Sequence, residues 1–171
     1  MEWLFGAVAG AVADLLGRTI FRLLGRSDRK GDVLRHDRQI FGEMDSIFSE
    51  EDIETMCNGE LYNGQLSERV GDNAVRLLRY LEQESSRFIT GGLRKRQDEL
   101  SRKLAQVVEF TQLHFFRAEL WEGWLLYPEL KRLPSRQTEY HQYLLEIQEN
   151  SGELWEEYLR FRKVVRGKLL V

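Results

Sequence analysis

The sequence predicts an all-α fold: a four- to five-helix antiparallel bundle behind an apolar N-terminal helix. Three observations carry this. Apolar residues recur over long stretches at steps of three and four, the spacing that gathers side chains on one helical face. The only two prolines, Pro128 and Pro134, fall in one short region, so helix breakers are scarce elsewhere. Charged residues make up 31% of the chain, as suits the solvated faces of helices. At 171 residues the chain has the length of one domain, or of one domain and an appendage. The expected division is 1–30, an apolar helix with a basic flank, and 31–171, the helical bundle.

The first element is residues 3–24, the most apolar part of the chain. Trp3, Leu4, Phe5, Gly6, Val8, Gly10, Val12, Leu15 and Leu16 lie in it, interrupted by Asp14, Arg18 and Arg22. Only Glu2 carries a charge ahead of it, so a cleaved signal peptide is not expected. Three readings compete. As a transmembrane helix the stretch reaches about 33 Å, against a hydrocarbon core of roughly 30 Å. Asp14 near its centre then costs about 2.5–3.5 kcal/mol, and Arg18 one turn later can pair with it. Gly6 and Gly10 permit close helix–helix approach, and Arg18, Arg22, Arg26, Arg29 and Lys30 hold the C-terminal side in the cytoplasm. As an in-plane helix, Leu4, Val8, Val12, Leu15, Leu16, Ile20, Leu23 and Leu24 form one apolar face. As a docked helix it packs on the protein's own core or on a partner, since the run Trp3 to Ala13 is short for a bilayer. Membrane association is favoured, with spanning ahead of lying flat. That places the chain at the inner membrane with its C-terminal domain in the cytoplasm.

Ser27 to Gly31 reads as a polar hinge. Asp32 is expected to cap a helix with Val33, Ile40, Phe41, Met44, Ile47 and Phe48 on one side. Ser49-Glu50-Glu51-Asp52 reads as a capping box, with acids at the positive end of a short helix through Ile53, Met56 and Cys57. Asn58-Gly59 and Asn63-Gly64 are turn signals. Cys57 is the only cysteine, so no intrachain disulfide forms, and it reads as a small core residue.

The organising pair of helices follows. Leu66, Val70, Ala74, Leu77, Leu78, Leu81, Ser85, Phe88 and Ile89 share one stripe, and Thr90-Gly91-Gly92 is expected to break the helix. Leu93, Leu100, Leu104, Val107, Val108, Thr111 and Phe115 then line a second helix whose outer face begins with Arg94, Lys95 and Arg96. A connection this short makes the two antiparallel. Trp121, Trp124, Leu125, Leu126, Tyr127 and Leu130 lie in a stretch broken by Gly123, Pro128 and Pro134. It reads as a structured connection with a short extended piece, its aromatics plugging one end of the bundle. Ser135 is expected to cap the last helix, in which Tyr140, Leu144, Ile147, Ser151, Leu154, Tyr158, Phe161, Val165 and Leu169 form a near-heptad stripe.

The net charge of −3 argues against general nucleic-acid binding. Its distribution is uneven. Residues 43–60 hold Glu43, Asp45, Glu50, Glu51, Asp52, Glu54 and Glu60 with no Lys or Arg, while the tail holds Arg160, Arg162, Lys163, Arg166 and Lys168. Such segregation implies helix faces that meet opposite charge in the fold or in a partner.

No phosphate-binding glycine loop is present, and one cysteine with three histidines cannot fill a structural zinc site. No metal, cofactor or small-molecule substrate is expected. His36-Asp37 resembles the centre of a metal phosphohydrolase motif, but His114 and His141 do not supply a convincing set of further ligands. Arg136-Gln137-Thr138-Glu139-Tyr140-His141 is similar to the R-x(4–6)-H motif of the HEPN family of helical ribonucleases, with Gln137 departing from the usual residue after the Arg. That resemblance implies that Arg136 and His141 act on the scissile phosphate and on proton transfer. Roughly one such match is expected by chance in a chain this rich in Arg, and Arg29 to His36 is a second hit.

From Asp32 onward the chain resembles uncharacterised bacterial helical proteins. The features are the acidic helix start at Ser49, the Leu-rich pair, the Leu113-His114-Phe115-Phe116 ending and the Leu126-Tyr127-Pro128-Glu129 turn. Proteins of that look include small partners in multi-gene systems, phage-defence loci among them. The function expected is a non-catalytic interaction module, with a protein partner or self-association. The alternatives are the HEPN-like nuclease and a soluble scaffold whose N-terminal helix docks on a partner.

Overall fold

The computed structural model describes residues 30–118 and 121–170. The stretch 3–24 lies outside the described residues, and with it the expectations placed on Trp3, Leu4, Phe5, Gly6, Val8, Gly10, Val12, Asp14, Leu15, Leu16 and Arg18. The chain divides into two units, Met1–His36 and Asp37–Val171, and the second is built as follows.

Helix α6, Gln137–Leu169, is its axis. The stripe expected from sequence is the buried face: Tyr140, Ile147, Ser151, Leu154, Tyr158, Phe161, Val165 and Leu169 are buried and Leu144 half-buried. The helix starts differently from expectation. Pro134–Arg136 forms a 3-10 turn, and Arg136 rather than Ser135 is the residue before the first helical turn. Proline at the head of that turn has its φ fixed in the helical range, which favours the turn over a hydroxyl cap.

Helix α4, Gly91–His114, lies antiparallel along α6, as shown by the order of the ion pairs between them. Arg96 reaches Glu157 (3.1 Å) and Lys103 reaches Glu153. Leu93, Leu100, Leu104, Val107 and Val108 fill the seam, joined by Phe110. Helix α3, Glu68–Glu82, packs on α4 through Val70, Ala74, Leu77 and Leu81.

The link between α3 and α4 corrects the sequence reading. Helix α3 ends at Glu82, a 3-10 turn covers Glu84–Ser86, and Gly91 and Gly92 open α4 instead of ending α3. Two buried polar side chains stabilise this alternative. Gln97 donates to Ser86 O (2.7 Å) and accepts from Phe88 N–H (3.1 Å). Asp37 accepts from Ile89 N–H (2.8 Å) and Thr90 N–H (3.1 Å). These four backbone groups of the loop are therefore satisfied without a helix. Phe88 turns into the core, and Ile89, expected on the stripe, is 56% exposed.

Residues 30–47 are helical and belong to helix α1. Asp32 is already inside it, where the sequence reading made Asp32 its cap. Helix α2, Glu50–Glu54, begins with the expected box: Ser49 Oγ accepts from Asp52 N–H, and Asp52 accepts from Ser49 N–H. A π-helical turn, Thr55–Glu60, follows and buries Met56 and Cys57. The turn expected at Asn58-Gly59 is part of this helical turn. The one at Asn63-Gly64 forms, with Gly64 at φ 67°, a conformation that glycine adopts without strain.

The described residues are mostly helical, with one three-stranded sheet. β1, Gln65–Ser67, and β2, Phe115–Arg117, flank β3, Gly123–Leu126, both antiparallel to it. Leu66 pairs with Trp124 and Phe116 with Leu125. Leu66 and Phe115, read as helix residues, are thus strand residues, although both are buried as expected. Strands of three or four residues are too short to display a period of two.

Candidate functional site

The aromatic connection builds a groove at the sheet end of the molecule. After β3 the chain reverses at Tyr127, whose φ of 32° and ψ of 65° are left-handed. Only a few per cent of residues with a Cβ take that conformation, and it costs of order 1–3 kcal/mol. Pro128 then starts the short helix α5, Pro128–Arg132.

The Tyr127 side chain is held from several sides. Its hydroxyl lies 2.7 Å from His114 Nδ1. Its ring centroid is 4.8 Å from Tyr143, 5.3 Å from Phe116 and 5.4 Å from His114. Burial, followed by the neighbouring Tyr143, raises the Tyr127 hydroxyl above its ordinary pKa. The strained backbone is therefore held within a cluster of tilted rings.

A groove of about 600 Å³ opens over this cluster. Its apolar lining comes from Phe116, Trp121, Leu125, Tyr127, Pro128 and Leu130, and its charged lining from Arg117, Arg132, Arg136, Glu129 and Glu139. Phe116 is 48% exposed and Trp121 40% exposed. Arg136 is engaged by Glu139 through two hydrogen bonds of 2.9 and 2.8 Å. Arg117 lies 4.0 Å from Glu68. Among the described residues Arg132 has no acidic partner. The expected plug of aromatics is in part an open surface.

The two HEPN-motif residues make different contacts. Arg136 lines the groove in its pair with Glu139. His141 is exposed one turn into α6, and its Nδ1–H donates to Gln137 O at 2.6 Å. No hydrogen bond joins the two. Asp37 of the His36-Asp37 pair is fully buried, with both carboxylate oxygens engaged by backbone N–H groups. Among the described residues no group of three His, Cys, Asp or Glu is arranged to hold a metal ion. Cys57 is buried, and burial raises its thiol pKa to about 12. Among the described residues no helix is long and apolar enough to cross a membrane.

Sequence reasoning missed the groove because its walls come from β2, β3, α5 and the start of α6. The signal in the sequence was the aromatic density from Phe115 to Tyr127, which specified burial and exposure equally well. No family model matches the chain, and no curated protein or solved structure is similar to it at a significant level.

Proposed function

We propose that the chain is a non-catalytic interaction module, a helical bundle that residues 3–24 associate with the membrane and that binds a protein partner through the aromatic groove. The observation that carries this is the exposure of Phe116 and Trp121 over a fixed aromatic floor. Surface aromatics beside a cleft supply large contact area at low entropic cost, the usual composition of an interaction hot spot. The partner segment that fits brings an apolar anchor for the floor and a carboxylate for Arg132. Glu129 and Glu139 on the same groove disfavour a general polyanion. The apolar stretch with Gly6 and Gly10 supports membrane association and self-association there. The resemblance to small partners of bacterial multi-gene systems supports an accessory role in a defence-type assembly.

A second reading, the HEPN-like ribonuclease, is favoured by one observation, the place of Arg136 on the groove. It requires RNA cleavage that His141→Ala abolishes.

The test of the first reading is a photocrosslinking residue at Phe116 of the full chain in cells, followed by carbonate-washed membrane fractionation. A defined adduct in the washed membrane fraction is expected. It is lost in Arg132→Glu and absent when the probe stands at exposed Leu145, which does not line the groove. An adduct indifferent to Arg132→Glu overturns the groove assignment. Recovery of the full chain in the soluble fraction overturns the membrane assignment.

A further inference from the structure

One end of the unit Asp37–Val171 combines exposed cations with exposed aliphatic side chains, and three contacts define it. The Asp37 carboxylate accepts from Ile89 and Thr90 N–H, so the start of the unit lies beside the start of α4. Arg38 Nε donates to Leu169 O (2.9 Å), which brings the end of α6 to the same place. A Cβ on Gly92 would lie 3.6 Å from Lys168 Cε, which sets the start of α4 directly against the end of α6.

The charges at this end are unbalanced. Arg94, Lys95 and Lys168 are exposed and, among the described residues, have no acidic partner. The acids nearby are already occupied. Asp37 is buried against backbone, Asp98 is 3.5 Å from Arg87, and Glu99 is 2.6 Å from Arg96. The same end carries Ile89, 56% exposed, and Leu170, 84% exposed at a left-handed backbone position.

We infer that this end is a docking surface for an anionic phospholipid bilayer. Aliphatic tips set among lysines and arginines are the composition of membrane-surface elements: the aliphatic groups enter the headgroup boundary and the cations meet lipid phosphate. The inference rests on the membrane association proposed above, because the chain leads from Asp37 back to residues 3–24. A nucleic acid would use the cations but has no use for Ile89 and Leu170.

The test uses the full chain with Ile89→Cys, labelled with an environment-sensitive fluorophore; buried Cys57 is shielded from the reagent. The protein is added to vesicles of phosphatidylcholine alone, or with roughly one-third phosphatidylglycerol. Co-flotation reads membrane association, and the fluorophore reads contact of this end with lipid. The expected result is co-flotation with both, and a severalfold rise in emission with the anionic vesicles only. The rise reverses in high salt and is lost in the exposed-face variant Arg94→Gln/Lys95→Gln/Lys168→Gln. Co-flotation without any rise overturns this docking surface and leaves the membrane reading standing. A rise that persists in the triple variant also overturns it. A protein that floats with neither vesicle removes both. Loss of RNA co-sedimentation in the triple variant, with lipid contact unchanged, reassigns the patch to nucleic acid.

Discussion

Asp37 is a fully buried carboxylate whose compensation comes from peptide groups. Its two oxygens accept from Ile89 and Thr90 at the start of α4, where unpaired N–H groups and the helix dipole favour negative charge. Hydrogen bonds to a charged group are each worth about 1.5–3 kcal/mol, and an unsatisfied buried donor costs a similar amount. Asp37→Ala is therefore expected to destabilise the protein by about 3 kcal/mol. Asp37→Asn, which retains one acceptor oxygen but aims an NH2 at a donor, falls between it and the parent. Urea unfolding followed by tryptophan fluorescence measures both. A change below about 1 kcal/mol for Asp37→Ala, the cost of an ordinary surface substitution, would mean that the loop holds itself.

At the scale of elements, α2 shows how a cap ties stability to pH. Burial raises the Asp52 pKa, but Arg69 (2.5 Å) and Ser49 outweigh it and hold the carboxyl below its ordinary value. The unfolded group titrates near about pH 3.9, so the folded state stays ionised further into acid. The unfolded state then binds more protons in that window, and stability falls as pH drops through it. Above about pH 4 the contribution is complete. Asp52→Asn is expected to cost about 0.5–2 kcal/mol at pH 7 and to flatten the acid side of the stability profile. Urea midpoints at pH 7 and in acid for both proteins check this. This cap was legible in the sequence because its partners are three residues apart, and the stripe of α6 was legible for the same local reason. The start of α4 was not. Gly91-Gly92 has the composition of a helix end, and what reverses its role is Asp37, more than fifty residues upstream. Leu66 and Phe115 fit their helical stripes by spacing, yet each stands just beyond a helix end, where pairing with β3 decides its conformation. The groove was hidden in the same way: its aromatics were visible, but the reversal at Tyr127 that exposes some of them is a tertiary outcome.

Across the whole molecule, part of the uneven charge of the described residues is neutralised within the fold. Arg162 of the basic tail reaches Asp45 (2.6 Å) and Glu50 (2.7 Å) of the acidic stretch, and its guanidinium lies 4.9 Å from the Phe41 ring. Arg166 adds a contact to Glu50 at 3.3 Å. These pairs fasten the last turns of α6 to α1 and to the start of α2. Beneath them Phe161, Val165 and Leu169 are 0% exposed. Truncating the chain after Arg160 removes all three together with Arg162. Replacing a single buried Leu or Phe with Ala costs about 2–5 kcal/mol, and a domain holds only about 5–15 kcal/mol in total. The loss also leaves the apolar faces of α1 and α4 uncovered. The truncated chain is expected to keep helical circular dichroism in part but to lose its cooperative thermal transition. Arg162→Ala alone is expected to melt cooperatively at a lower temperature, because the apolar seam survives. If the truncated chain instead melts as sharply as the parent, the core is sustained by α3 and α4, and the tail of α6 is an ornament on it. If it does not, the end of α6 proposed to touch lipid is also the end on which the fold depends, and membrane contact at Lys168 and Leu170 would stabilise the whole unit.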